Sequence, residues 1–124
     1  MKLDYDCMRT ILFEIERSTS FERDFEFDIS NVQEALSDFS PDKIQYHIRQ
    51  MHWSGLCTKP TFHSDGCFLK DLTPEGHKFL SDVRSDTNWN KTKQIAEKAG
   101  IFTIDSLKTI AIGVATASIQ KYLP

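Results

Sequence analysis

The side chains of this sequence that come closest to a metal-site pattern are two cysteines with a histidine between them. Cys57, His63 and Cys67 lie near one another in the sequence, whereas the third cysteine, Cys7, is distant. A structural zinc site takes about four ligands and usually shows paired Cys-x-x-Cys spacing, which is absent here. Because a free cysteine behaves as a small apolar side chain, we expect inert thiols and neither a metal nor another cofactor.

His77 is the side chain best placed in the sequence to serve as a general acid or base. It follows Glu75 and Gly76 early in a predicted helix, where a packing or capping role is the simpler interpretation. No carboxylate or nucleophile stands at a spacing typical of a catalytic pair, and the sequence contains neither a glycine-rich phosphate loop nor a nucleophile elbow. We therefore expect a binding protein and not an enzyme.

Length and composition are those of a soluble globular protein. The chain has 124 residues, of which 40% are hydrophobic and 27% are charged, close to the usual averages. The polar start lacks signal-peptide character, and the odd number of cysteines favours free thiols in a reducing compartment. The apolar stretch from Ile104 to Ile119 contains Asp105 and Lys108 and is too short to span a bilayer. We expect a cytoplasmic protein that does not enter a membrane.

Charge is distributed unevenly along the chain. The formal net charge is -3, and acids outnumber bases over the first 40 residues, after which the balance reverses. Between residues 43 and 70 one acid, Asp65, stands against Lys43, Arg49, Lys59 and Lys70. A chain that is acidic overall can therefore present a basic face to a partner.

Apolar periodicity, helix caps and turn residues predict an α+β fold. The first predicted elements are a helix from Asp4 to Arg17, a strand within Phe21 to Ile29, and a short helix from Asn31 to Phe39 capped by Ser30. A helix from Pro41 to Ser54, stopped by Gly55, follows, and then a hairpin whose strands are Leu56 to Phe62 and Cys67 to Leu72, with the turn at His63 to Gly66. The last three elements are helices from Pro74 to Arg84, Asn88 to Ala99 and Ile104 to Tyr122. The expected N-terminal caps are Asp4, Ser40, Asp86-Thr87 and Thr103, and Gly100 is expected to end the helix that begins at Asn88. This order predicts a winged helix-turn-helix domain over residues 1–85 and a C-terminal two-helix extension over residues 86–124.

Three segments of the sequence resemble a known protein family. They are Met1 to Asp6 followed by Arg9, Ile11, Leu12 and Glu16; Tyr46-His47-Ile48 leading to Ser54-Gly55-Leu56; and Leu72 to Leu80 with Arg84, Asp86 and Trp89. Together they resemble the family catalogued as domain of unknown function 2513, whose members are carried mostly by phages, prophages and mobile elements of bacteria. The resemblance implies a winged-helix-like fold and brings no catalytic residues with it. The segment from Asn31 to Phe39 looks longer and more helical than the family leads us to expect.

The helix that begins at Pro41 has the pattern of a DNA-reading helix. Ile44, Ile48 and Met51 fall within one narrow arc, which leaves polar residues on the far side. Arginine can pair with guanine and glutamine with adenine, while lysines contact phosphates. The predicted contacts to double-stranded DNA are Lys43, Gln45, Tyr46, Arg49, Gln50, Lys59 and Lys70. Two alternatives remain: an ordinary solvated helix face, or a protein-binding patch marked by Tyr46 and Trp53.

The last predicted helix has a broad apolar face that must be covered. It either packs on its own domain or pairs with the same helix of a second copy. In the second case the homodimer interface is predicted to consist of Leu107, Ile110, Val114 and Ile119. Gly113, Ala117 and Ser118 are small enough to allow another helix to approach closely.

Two functions fit these features. The first is a phage- or mobile-element-type DNA-binding protein that regulates transcription. The second is a protein-binding winged helix that inhibits a host protein, such as part of a defence system, because an acidic surface can imitate nucleic acid.

Overall fold

The computed structural model describes residues 1–124 and confirms a mixed α+β architecture. It contains five α-helices, one 3-10 turn and a three-stranded antiparallel sheet. The elements are α1 (Tyr5–Ser18), β1 (Phe25–Asp28), the 3-10 turn (Glu34–Leu36), α2 (Pro41–Trp53), β2 (Thr61–His63), β3 (Gly66–Leu69), α3 (Pro74–Val83), α4 (Asp86–Ala99) and α5 (Ile104–Gln120). None of the helices combines the length and the apolar character that crossing a membrane would require.

The chain forms two compact units, which divide within α3. The first unit is Met1–Gly76 and the second is His77–Pro124. The division falls earlier in the chain than the boundary predicted after residue 85. The first unit therefore contains the whole sheet with α1 and α2, and the second contains α4 and α5.

The sheet of the first unit has the strand order β1-β3-β2, with both pairings antiparallel. From Phe21 to Ile29 acidic residues occupy every second position, a period-two pattern that predicts a strand with one buried face. In β1 the side chains of Phe25 and Phe27 are buried and that of Glu26 is exposed, so the alternation is confirmed over these residues. It does not extend to Phe21 or Arg23, which precede the strand and are exposed. With no neighbouring strand at that point, their period-two pattern has no sheet face to bury.

The helix predicted from Asn31 to Phe39 is wrong, since only the 3-10 turn forms there. Ser30 does not cap it: the backbone N–H and the hydroxyl of Ser30 both donate to the Asp28 carboxylate, at 2.9 and 2.8 Å. This local turn directs the chain away from a helical start. Val32, Ala35, Leu36 and Phe39 are the apolar residues that such a helix would turn inward, and only Leu36 among them is fully buried. This is too little apolar contact to stabilise a longer helix.

The predicted hairpin exists, but its strands are shorter than expected. Pro60 has no N–H for a strand ladder, and the regular pairing begins only after it, at Thr61. Before it, Cys57 forms an isolated bridge with Leu72. The Thr58 hydroxyl accepts from the backbone N–H groups of Lys70 and Asp71, at 3.0 and 3.1 Å, and the backbone N–H of Thr58 donates to the Asp71 carbonyl at 3.0 Å.

In the second unit, α4 and α5 pack against each other. Ser85 caps α4 by accepting from the N–H of Asn88, so the cap predicted at Asp86-Thr87 lies one residue too late. Gly100 ends α4 in the left-handed conformation, with φ +68°, and Thr103 caps α5, both as predicted. The Ser118 hydroxyl bonds to the Asn88 side chain at 3.0 Å, so the end of α5 lies beside the start of α4.

Candidate nucleic-acid interface

Local sequence signals set the position of α2 in the first unit. The Ser40 hydroxyl accepts from the N–H of Lys43, and Pro41 occupies the first turn, where its missing N–H costs no hydrogen bond. Ile44, Ile48 and Met51 are buried, as their spacing predicts. The opposite face of α2 is consequently turned away from the core.

His47 anchors α2 to the start of α1. The ring is almost completely buried, its Nε2 accepts from the N–H of Asp4 at 2.8 Å, and its Nδ1 lies 2.8 Å from the Lys43 carbonyl. Since Nε2 must accept and the carbonyl can only accept, the ring is neutral with its proton on Nδ1. His47 is thus a structural residue and adds no positive charge to the basic stretch.

Lys43, one of the predicted DNA contacts, already has an ionic partner. Its ammonium lies 2.6 Å from the Asp4 carboxylate and 5.5 Å from the centre of the Phe39 ring. Partial burial raises the pKa of Asp4, but the hydrogen bonds from Lys43 and from the N–H of Cys7 outweigh it and hold this pKa below its ordinary value. The charge of Lys43 is therefore largely balanced within the protein.

The outward face of α2 carries a cation–π arrangement that we call the arginine stack, formed by Tyr46, Arg49 and Trp53. The Arg49 guanidinium carbon lies 5.6 Å from the centre of the Tyr46 ring and 5.3 Å from that of the Trp53 ring. Arg49 is exposed, and Trp53 is 68% exposed. The two rings restrict the guanidinium while leaving its N–H groups accessible to a partner.

The other two predicted contacts on α2 are less accessible. Gln50 and Gln45 are half-buried, and the Gln45 amide donates weakly to the Pro41 carbonyl at 3.5 Å. Trp53 was absent from the predicted DNA contacts. Its spacing from Arg49, one helical turn later, is the sequence signal that indicates it belongs with them.

The two predicted lysines of the hairpin region, Lys59 and Lys70, come together in the first unit. We call them the hairpin lysines. Both are exposed, and both line a shallow hollow of about 300 Å³ together with Phe68, Thr61 and Asp24. Phe68 is 40% exposed, so cationic and aromatic groups share this small surface.

Acidic residues limit this surface on its other side. Glu26 of β1 pairs in register with Phe68 of β3, so both lie on the exposed face of the sheet. Asp28 follows two residues later on the same face, and the backbone N–H and hydroxyl of Ser30 hold the pKa of Asp28 below its ordinary value. The positive surface therefore ends at β3, and β1 contributes negative charge.

The three thiols are buried, and we expect them to react slowly. Burial raises the pKa of Cys7 and Cys57 to about 12 and that of Cys67 to about 11. Cys57 donates to the Ile48 carbonyl. No three side chains of histidine, cysteine, aspartate or glutamate are grouped as metal ligands. The cysteines pack in the core of the first unit, where a thiolate nucleophile is not available.

The structure divides the four residues predicted for a dimer interface. Leu107 and Val114 are buried by the chain itself, so they are not available to a second copy. Ile110 is half-buried and Ile119 is 58% exposed. The self-packing alternative therefore accounts for the inner part of α5, and the remaining apolar surface of this helix is open.

The fold and this site together define an α+β protein with an exposed arginine- and aromatic-bearing helix face. The chain belongs to the hypothetical protein (DUF2513) family, whose model matches residues 2–102. It is 27% identical over 115 residues to an "Uncharacterized protein" of Haemophilus influenzae (strain ATCC 51907 / DSM 11121 / KW20 / Rd), an alignment that covers 90% of this chain and 92% of the relative. No solved structure matches the chain significantly.

Proposed function

We propose that this protein is a winged-helix DNA-binding protein of phage or mobile-element type that acts as a transcriptional regulator. The observation that carries the proposal is the uncovered outer face of α2, with Arg49 at its centre. The surrounding order of helix, strand, turn, helix and hairpin, with the sheet order β1-β3-β2, supports it. In winged helices such a helix enters the major groove and the hairpin contacts the backbone.

Arg49 is the residue to which we assign base recognition. Its guanidinium suits the two acceptors that guanine presents in the major groove, and the rings of Tyr46 and Trp53 reduce the conformational freedom lost on binding. Gln50 is the neighbour suited to adenine. The hairpin lysines are assigned to phosphates, which supply affinity without sequence preference.

Selection from a randomised pool of duplex DNA at about 50 mM salt, where phosphate contacts are strong, tests the proposal. Arg49→Ala should weaken binding to the selected sequence about 5- to 150-fold, which corresponds to about 1–3 kcal/mol, and relax the preference at one base pair. Lys59→Ala with Lys70→Ala should weaken binding to all sequences and lower the salt slope by about 2. Lys98→Ala, an exposed lysine of the second unit, serves as the matched control. Failure of the wild-type protein to retain any duplex would refute the proposal.

A protein partner is the second candidate, and the composition of the arginine stack is the observation that favours it. Tyrosine, arginine and tryptophan are the residue types that dominate binding energy at protein interfaces. The ion pair of Lys43 with Asp4 and the net charge of -3 also reduce the attraction to DNA. In this function the protein would inhibit a host protein. Recovery from host lysate of one stoichiometric partner that Trp53→Ala loses, without any DNA affinity, would favour it.

A further inference from the structure

The second unit contains an open apolar groove between α4 and α5, which we call the α4–α5 groove. Its volume is about 440 Å³, and its lining includes Ile95 of α4 and Ile110, Gly113 and Ala117 of α5. Ile95 is 46% exposed. Apolar side chains left open to water between two packed helices are typical of a binding surface.

The dimensions of the groove suit a helix. On α5 the lining extends from Ile110 to Ser118, about two turns or roughly 12 Å of helix length. Gly113 has no heavy atom within 4 Å of the position where a Cβ would lie. The centre of the groove therefore has no side chain that would obstruct another helix. A short helix can therefore place apolar side chains there at intervals of one turn.

Two lysines, Lys91 and Lys121, complete the lining. The hydrogen bond between Ser118 and Asn88 places the end of α5 beside the start of α4, so both lysines lie towards the same end of the groove. Both are exposed, and neither has an ion-pair partner within 4 Å. One end of an apolar groove thus carries two uncompensated positive charges.

We propose that the α4–α5 groove binds a short amphipathic helix of another protein that carries carboxylates near one end. The apolar face of the partner would cover Ile95 and Ile110, and its carboxylates would meet Lys91 and Lys121. Acidic residues are favoured in the first turn of a helix, so the N-terminus of the partner lies at the lysine end. This activity is separate from the function assigned to α2.

A second copy of this chain fits the groove less well. The one acidic residue of α5 is Asp105, and its carboxylate already lies 3.5 Å from the Lys108 ammonium. An α5 helix from another copy therefore supplies apolar surface but no free carboxylate for Lys91 and Lys121. Charge complementarity favours a foreign helix.

The test measures binding of a labelled designed peptide to the full chain by fluorescence anisotropy. The probe is a 14-residue helical peptide, about four turns long, with leucines on one face and two glutamates in its first turn. We expect a Kd in the range of about 1–100 µM. Replacing the two glutamates by lysines should weaken binding about tenfold or more.

Two variants of the protein separate the groove from the rest of the surface. Gly113→Leu fills the groove at a position with open space, and Lys91→Glu with Lys121→Glu reverses the charges; each should weaken peptide binding about tenfold or more. Lys2→Glu with Arg23→Glu makes the same change of net charge at exposed residues of the first unit and should leave peptide binding unchanged. Circular dichroism of each variant checks that the fold is retained.

Three outcomes would overturn the proposal. One is the absence of binding by the glutamate peptide at millimolar concentration, and another is equal binding of the lysine peptide, which would indicate unspecific apolar contact. The third is a dimer in sedimentation measurements that Gly113→Leu dissociates, since a second copy would then be the occupant.

Discussion

The glycines of the two units show opposite surroundings. In the first unit, a Cβ on Gly66 would overlap the Phe27 carbonyl oxygen, and a Cβ on Gly76 would overlap the Leu56 carbonyl oxygen. In the second unit, neither Gly100 nor Gly113 has any heavy atom near the corresponding position. Backbone therefore packs directly against backbone in the first unit, whereas the glycines of the second unit lie at open surface.

The difference indicates that the first unit is the more closely packed of the two. Both units expose large apolar side chains, but the first unit exposes six among its 76 residues and the second exposes seven among its 48. In the first unit, both ring nitrogens of the buried His47 have hydrogen-bond partners. The second unit leaves Ile95, Phe102 and Ile119 at least 46% exposed. A closely packed unit is suited to present a fixed helix face, and a unit with uncovered apolar surface is suited to acquire a partner.

The largest expected effect is the difference in thiol labelling rate between the native and the unfolded protein. It reports on the first unit, because all three cysteines lie there. Their pKa values of about 11 to 12 leave few thiolates at pH 8. Labelling by a disulfide reagent should be roughly 100- to 1,000-fold slower in the native protein than in urea. Stopped-flow absorbance measures both rates. Rapid labelling of even one thiol in the native protein would show that the first unit opens readily. The first unit would then not be more closely packed than the second unit.

Gly76→Ala is the next test, because it adds one methyl group where the first unit has no room. The methyl group must displace the Leu56 backbone, and we expect a loss of about 3 kcal/mol in the free energy of unfolding. Urea denaturation followed by circular dichroism measures it. An unchanged midpoint would mean that the backbone contact is not tight.

His47→Ala removes the side chain that joins α2 to the start of α1. It leaves the N–H of Asp4 without its partner and creates a cavity, so we expect a loss of about 2–3 kcal/mol. The matched control is His63→Ala in the exposed hairpin, which should change stability by about 0.5 kcal/mol or less. Equal effects of the two substitutions would contradict the structural role of His47.

Local signals predicted most of the fold, and what they missed depends on side-chain bonds and tertiary contacts that the spacing of residue types does not show. The caps at Asp4, Ser40 and Thr103 and the stop at Gly100 depend on neighbouring residues, so their residue types reveal them. In the segment from Asn31 to Phe39 the apolar residues have helix-like spacing. The spacing of apolar residues does not reveal that Ser30 bonds to Asp28 instead of capping a helix.

The candidate site divides in the same way. The exposure of Arg49 follows from its position opposite Ile44, Ile48 and Met51 on one helix, so the pattern predicts it. The ion pair of Lys43 with Asp4 joins different helices and cannot be deduced from spacing. The same holds for the α4–α5 groove, because an apolar helix does not show which part of its surface its neighbour leaves open.

The stabilisation that the charge of Asp4 gives to the first unit can be measured by its dependence on pH. The folded pKa of Asp4 lies below its unfolded value of about 3.9, so its stabilisation is present above that value and is lost as the pH falls through the folded pKa. Asp4→Asn keeps a capping side chain but loses the charge that faces Lys43. We expect the variant to be about 0.5–1 kcal/mol less stable at pH 7, with the difference vanishing in acid. A constant difference from pH 7 to pH 2 would contradict the ion pair.

The smallest expected effect is a gain in the free energy of unfolding, opposite in sign to the loss expected for Gly76→Ala. Gly113→Ala places the same added methyl group within α5 at open surface, where alanine is the better helix former. We expect a gain of about 0.5–1 kcal/mol, measured by urea denaturation under the conditions used for Gly76→Ala. Since both glycines stand in helices, a difference in sign between the two substitutions reports the space around them and not helix propensity. A loss of stability at Gly113 would place another group against this face of α5 and close the groove to a partner.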